Sequence, residues 1–180
     1  MVLYAYAEWG TEYLQRFNGM FSIAIWDKKY KELFLALDRF GKKPLYYYTN
    51  DRKELTFASE LTALISDETI PKNISYEALN CYLAIGYILS PMTLYEDIYK
   101  LEPATYLLIS NKGEKITKVQ YWNYADTFRK KTNEDEHSIA EHLKYMLEGS
   151  VKRRMISDVP VGAFLSGGVD STSIVSLMKN

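Results

Sequence analysis

From residue 166 to residue 171 the chain reads Ser-Gly-Gly-Val-Asp-Ser, and these residue types at this spacing suit the binding of a phosphate group. Gly167 and Gly168 permit unusual backbone dihedrals and let an anion come close to the main chain. Successive N–H groups at such a turn form a concave nest for anions, and the positive end of a following helix reinforces it. Ser166 and Ser171 add hydroxyl donors. Asp170 places a carboxylate beside the anion, an arrangement that suits Mg²⁺ bridging the two. The expected ligand is a nucleotide phosphate. The pattern Gly-x-x-x-x-Gly-Lys-Ser/Thr occurs nowhere in the chain, and the loop contains no Lys, so this is not a Walker loop. The plainer alternative is a strand–turn–helix whose glycines only make the turn.

Such a loop needs a strand before it and a helix after it. Val159–Leu165 is a short apolar run with Pro160 near its start, which predicts a buried strand. Ser171–Met178 predicts a helix, although its β-branched and Ser content makes packing necessary to hold it. A long helix is expected from about Ser138, with Ile139, Leu143, Met146, Leu147 and Val151 on one side. It ends in Lys152, Arg153 and Arg154, which could meet phosphate but read more plainly as solvated residues at a helix end. The stretch 126–135 is dense in charge and poor in aliphatics, so it reads as a linker between segments 1–125 and 136–180. In the first segment a helix over Val2–Arg16, entered at Met1 without a cap, precedes strands over Met20–Trp26 and Leu33–Leu37. Pro44–Thr49 and Leu55–Ala58 form a hairpin around Asn50-Asp51-Arg52-Lys53. Short helices are expected over Ser59–Ile65 and from Ser75. A second hairpin joins Tyr106–Ile109 to Ile116–Trp122 through Asn111-Lys112-Gly113. This mixture predicts an α+β or α/β chain.

A length of 180 residues allows one full domain or two incomplete ones. The apolar share of 47% and charged share of 25% are ordinary for globular proteins. A net charge of −1 supplies no bulk attraction to nucleic acid. One Cys excludes a disulfide framework and suits a reducing compartment. No apolar run approaches the ~20 residues of a membrane span, and no charged-then-apolar leader is visible, so a cytoplasmic location is expected. Cys81 lies in a helical pattern and reads as a small buried residue. His137 and His142 are five apart, off the spacing of a zinc pair on one helix face. Tyr46-Tyr47-Tyr48 reads as core and sheet surface rather than a platform for bases. Gly41-Lys42-Lys43-Pro44 reads as a tight turn before a strand.

The loop at 165–171 resembles the pyrophosphatase loop of ATP pyrophosphatases. Its approach, Ser157-Asp158-Val159-Pro160-Val161-Gly162-Ala163-Phe164-Leu165, is similar to the entry to the synthetase domain of glutamine-dependent asparagine synthetases. Phe17-Asn18-Gly19-Met20-Phe21-Ser22-Ile23-Ala24-Ile25-Trp26-Asp27 resembles a strand of that family's glutaminase domain. So does Asp38-Arg39-Phe40-Gly41-Lys42-Lys43-Pro44-Leu45-Tyr46-Tyr47, followed by Phe57-Ala58-Ser59-Glu60. Tyr82-Leu83, Gly86-Tyr87, Thr93-Leu94-Tyr95, Lys100-Leu101 and Tyr121-Trp122 follow in the family's order, so the resemblance covers essentially the whole chain.

The resemblance implies part of an N-terminal-nucleophile (αββα) glutaminase domain over 1–125. After the linker it implies the first strand–loop–helix of a doubly wound ATP-pyrophosphatase domain over 136–180. Family members use ATP and Mg²⁺ to adenylate the aspartate side chain and release pyrophosphate. Ammonia from glutamine then attacks, leaving asparagine, AMP and glutamate. In that scheme Leu165 contacts the nucleotide, Ser166, Gly167, Gly168 and Ser171 hold the pyrophosphate portion, and Asp170 helps place Mg²⁺. Aspartate, glutamine and ATP are the implied small-molecule partners, and a homodimer is a candidate assembly; no nucleic-acid or membrane partner is implied. Three departures stand out. Leu37 occupies a position where the family usually carries Arg. Pro103-Ala104-Thr105 stands where Pro-Gly-His is common. Met1 is followed by Val2 rather than the family's nucleophilic Cys, and its glutamine-gripping Arg, Asn-Gly oxyanion segment and Asp have no counterpart. No glutaminase catalytic residue is therefore assigned, and the isolated chain is expected to be an inactive internal fragment. Two alternatives stay open: a relative acting on another carboxylate, such as a β-lactam synthetase or another amidotransferase, and a non-catalytic binding paralogue.

Overall fold

A computed structural model describes residues 1–110, 115–129 and 131–178, and the chain divides into two compact units, Met1–Thr127 and Phe128–Asn180. The first unit opens with helix α1 (Val2–Trp9), a 3₁₀ turn at Gly10–Glu12 and helix α2 (Tyr13–Arg16). The expected single helix is thus interrupted at Gly10. Strands β1 (Ser22–Asp27) and β2 (Glu32–Leu37) follow, then β3 (Tyr46–Thr49), β4 (Leu55–Ala58), α3 (Leu61–Ile65) and α4 (Tyr76–Ile85). Strands β5 (Ile98–Lys100), β6 (Thr105–Ser110) and β7 (Lys115–Gln120) complete the sheets. The short helix α5 (Ala125–Phe128) lies at the junction. The turn expected at Asn111-Lys112-Gly113 falls outside the described residues, but β6 and β7 pair antiparallel, as a hairpin requires.

Two antiparallel sheets result, one ordered β1-β2-β6-β7 and the other β4-β3-β5. The apolar run at β2 is continuous because both of its faces are covered. Phe34 and Ala36 face the helical side and pack with Ala5, Tyr13, Leu14 and Ile25. Leu35 and Leu37 face the second sheet and pack with Leu45, Leu101, Leu107 and Ile109. Strand alternation likewise splits the tyrosine run. Tyr47 joins this inter-sheet core, while Tyr46 and Tyr48 pack with Leu64, Ile70 and Ile98 beneath α3. The order through the unit is therefore helix, sheet, sheet, helix. At α4 the Ser75 hydroxyl accepts from the Ala78 N–H at 3.2 Å and caps the helix, whereas α3 starts after Glu60 without a side-chain cap, so Ser59 does not serve as the cap that the sequence suggests.

The second unit contains helices α6 (Glu136–Arg154) and α7 (Val169–Leu177), which pack on one another. Asp135 caps α6, accepting from the Ser138 N–H at 3.1 Å and from its hydroxyl at 2.8 Å. The apolar stripe along α6 is buried only at Val151; Ile139, Leu143 and Met146 are exposed. The strand expected at Val159–Leu165 does not form, and the segment is irregular and exposed. Among the described residues of this unit there is no other strand, so the main-chain N–H and C=O groups of 159–165 have no ladder to join. Among the described residues no helix is long and apolar enough to cross a membrane.

Candidate functional site

Leu165, Ser166 and Gly167 lead irregularly into Gly168, the N-cap of α7. Gly167 has φ of 80°, a left-handed backbone that glycine adopts without steric cost. Gly168 serves the site differently. A Cβ at this position would point between two hydroxyls, 3.6 Å from Ser166 Oγ and 3.9 Å from Ser171 Oγ. Those oxygens are 2.9 Å apart. The Ser171 hydroxyl donates to the Gly168 carbonyl at 3.1 Å, so the proton between the serines comes from Ser166. No side chain caps α7, and the first intrahelical bond is Thr172 N–H to Gly168 C=O at 3.0 Å. The N–H groups of Val169, Asp170 and Ser171 therefore have no carbonyl within the helix to bond. Two hydroxyls, the first N–H groups of α7 and the positive helix end thus come together at an exposed turn beside Gly168. Asp170 stands in the first turn of α7. Donors of this kind can receive an anion, and a carboxylate in the first turn can face a cation that accompanies it.

The sequence-expected residues are thus brought together in part. Ser166, Gly168 and Ser171 meet at the start of α7, with Gly167 in the turn between them. Leu165 is 60% exposed beside it, and Asp170 is exposed as well. Among the described residues no group of three or more His, Cys, Asp or Glu side chains gathers as a metal site. His137 and His142 are exposed. Arg154 folds back on its own helix, with Nη1 donating to Ser150 Oγ at 2.7 Å. Cys81 is only partly buried, less than expected, and its thiol donates to the Tyr87 carbonyl at 3.4 Å.

The first unit contains a polar knot to which no role was assigned from sequence. The Asp38 carboxylate is buried and accepts four main-chain N–H groups. Phe40 at 3.0 Å and Lys42 at 3.1 Å bond one oxygen, and Phe21 and Lys43, both at 3.2 Å, bond the other. Its carbonyl receives the N–H of Gly41 at 3.1 Å and of Ala104 at 2.9 Å. Arg39 next to it donates to the carbonyls of Phe17 at 2.7 Å and Gln15 at 2.8 Å. The Tyr121 hydroxyl donates to the Leu37 carbonyl at 2.8 Å, and the Gln15 carboxamide donates to the Tyr121 carbonyl. Burial pushes the Tyr121 phenol up to about 12, with Arg39 opposing the rise and Asp38 adding to it.

Taken together, the two units combine mixed α/β architecture with antiparallel sheets and a glycine loop at a helix start. The sequence model of the glutamine amidotransferase domain family matches residues 1–122, and the chain belongs to that family. The model of asparagine synthase matches residues 142–180. A Methanocaldococcus jannaschii protein provisionally named asparagine synthetase (glutamine-hydrolyzing) 2 is 40% identical over 181 residues, covering 99% of this chain and 34% of that protein. A Mycobacterium tuberculosis protein with a similar provisional name is 36% identical over 183 residues, covering 98% of this chain and 27% of its own length. Asparagine synthetase (glutamine-hydrolyzing) 3 of Bacillus subtilis is 33% identical over 178 residues, covering 98% and 28%. The chain spans about a third or less of the curated relatives it matches.

Proposed function

We propose that this chain is the part of a glutamine-dependent asparagine synthetase that runs from the glutaminase domain into the ATP-binding loop. In this reading residues 1–125 belong to an N-terminal-nucleophile glutaminase domain, 126–135 are a linker, and 136–180 begin a doubly wound ATP-pyrophosphatase domain. The helix–sheet–sheet–helix order of the first unit supports the first assignment. Once a neighbouring strand is available to pair with it, Val159–Leu165 becomes the strand before the loop. The reaction is activation of the aspartate side-chain carboxylate by ATP, loss of pyrophosphate, and attack by glutamine-derived ammonia. Its setting is cytoplasmic, and its assembly a homodimer.

The observation that carries this reading is the Gly168 cradle. Ser166 and Ser171 Oγ are 2.9 Å apart, and α7 begins directly behind them without a cap. The cradle fits a pyrophosphate oxygen cluster, because a methyl group at residue 168 would fill the space. Ser166, Gly167, Gly168 and Ser171 would hold the anion, Leu165 would lie against the nucleotide, and Asp170 would hold Mg²⁺. The metal supplies neutralisation of the charge that builds on departing pyrophosphate. The loop residues orient that leaving group through fixed donors. The chain's sole thiol, Cys81, sits in mid-helix with its proton on the Tyr87 carbonyl, so the chain alone releases no ammonia from glutamine.

Titration of the chain with pyrophosphate and Mg²⁺, followed by amide chemical shifts, tests the loop. The expected shifts centre on Gly167, Gly168 and Ser171 and vanish in Gly168→Ala. Shifts confined to Lys152, Arg153 and Arg154 would sink the assignment. In a gene product of the relatives' length that carries this chain, AMP formation should require aspartate. AMP formation driven by a different carboxylate would select the related amidotransferases instead.

A further inference from the structure

We infer that Asn18 is a site of spontaneous covalent modification, deamidating through the Gly19 nitrogen while the chain is folded. Asn-Gly occurs once in the sequence. Both residues are exposed, in the segment Phe17–Phe21 that joins α2 to β1. That segment walls an open cleft of about 1010 Å³ with Tyr4, Glu8, Trp9 and Arg16 on the other sides. Among the described residues neither the Asn18 carboxamide nor the Gly19 N–H makes a hydrogen bond. Two other asparagines are restrained. Asn50 donates to Glu54 Oε2 at 2.6 Å and accepts from the Glu54 N–H at 2.9 Å, and Asn123 accepts from the Ala125 N–H at 3.0 Å. A Cβ at Gly19 would meet nothing within 4 Å, so no neighbour crowds the attacking nitrogen.

The chemistry needs only water. The Gly19 nitrogen loses its proton to solvent base and bonds to Asn18 Cγ. The Cγ–Nδ2 bond breaks, and ammonia leaves with a proton. Water then opens the five-membered succinimide at one carbonyl or the other, giving aspartate or isoaspartate. Freedom of the glycine backbone to bring its nitrogen onto the side chain governs the rate. The outcome matters because the segment is anchored on both sides. Arg39 Nη1 holds the Phe17 carbonyl at 2.7 Å, and Phe21 exchanges N–H and C=O bonds with Asp38 at 3.2 and 3.0 Å. Isoaspartate inserts an extra backbone carbon between these anchors and adds a negative charge to a wall that already carries Glu8.

The test is incubation of the folded chain in mildly alkaline buffer, with the urea-unfolded chain in parallel, followed by tryptic mass spectrometry. The peptide Phe17–Lys28 contains one Asn and no Gln, so an amide-to-acid mass gain reports Asn18 alone. The expected result is a gain in the folded chain at a rate comparable to the unfolded one, while the Asn50 and Asn123 peptides keep their mass. Gly19→Ala, at an open position without positive φ, should keep the fold and slow the gain. Conversion in the unfolded chain with an unchanged mass in the folded one would overturn the inference, as would an equal gain in Gly19→Ala.

Discussion

Gly41 has φ of 63°, and a Cβ there would stand 3.0 Å from Pro103 Cγ and 3.5 Å from Leu37 Cδ2. An L side chain pays about 1–2 kcal/mol in that backbone region before any contact is counted. The turn cannot relax toward negative φ, because the buried Asp38 carboxylate fixes the N–H groups of Phe40, Lys42 and Lys43 around it. Gly41→Ala should therefore lower unfolding stability by about 2 kcal/mol, read as a lower urea midpoint at unchanged slope. An unchanged midpoint would show that the turn moves freely. The tight turn was legible in Gly41-Lys42-Lys43-Pro44, but the anchoring carboxylate was not. Asp38 stands at the end of an apolar strand, and nothing within a few residues of it shows what its carboxylate will meet. What buries Asp38 is the return of Phe21 from one side and Ala104 from the other, both distant in sequence. Ala104 itself adopts φ of 55° in the place where resemblance expects glycine. Both main-chain groups of Ala104 are held there, its N–H donating to the Asp38 carbonyl and its carbonyl accepting from the Tyr121 N–H.

At the scale of elements, hairpins and strands with strong local signals were readable. The Asn50–Lys53 turn closes β3 on β4 with Tyr46 opposite Ala58 and Thr49 opposite Leu55. Strand β5 was not readable, since three residues give no periodicity and its pairing with β3 is purely tertiary. The Val159–Leu165 run shows the reverse failure: a good local strand pattern forms no strand where nothing pairs with it. Helix α6 owes its start to Asp135, three residues before the expected start at about Ser138. The Ser138 hydroxyl and then its N–H hold the Asp135 carboxyl below its ordinary 3.8. A depressed folded value means that the cap contributes fully above the unfolded value and is lost as pH falls through the folded one. Helical ellipticity of the chain should consequently decline on acidification below 3.8, and Asp135→Asn, which retains the acceptor without the charge, should flatten that part of the titration. Asp67 is also held low, by Thr69, but it is present in both proteins and cancels in the comparison. Superimposable acid titrations of the two proteins would remove the cap from the account of α6.

For the molecule entire, apolar burial is distributed unevenly. Three clusters in the first unit hold Phe34, Leu35, Leu64, Leu107 and their neighbours at or near complete burial. In the described part of the second unit Val151 is the one hydrophobic residue that reaches that state. Ile156, Val159, Phe164, Leu165 and Val169 are exposed within fourteen residues of sequence, Phe164 at 103%. At roughly 25 cal/mol per Å² of apolar surface, covering several such side chains is a driving force of several kcal/mol for association. The irregular backbone of 159–165 also has unpaired N–H and C=O groups that a neighbouring chain can bond. The chain should therefore self-associate as its concentration rises, measured by light scattering at constant ionic strength. Phe164→Asp removes the most exposed of these side chains, so its cost to folding should stay within about 0.5 kcal/mol. It should shift the association to higher concentration while leaving the melting of the first unit where it was. A wild-type chain that stays monomeric throughout and melts in one cooperative step would mean that the second unit buries this surface in solution, and the unpaired-strand account of residues 159–165 would fall with it.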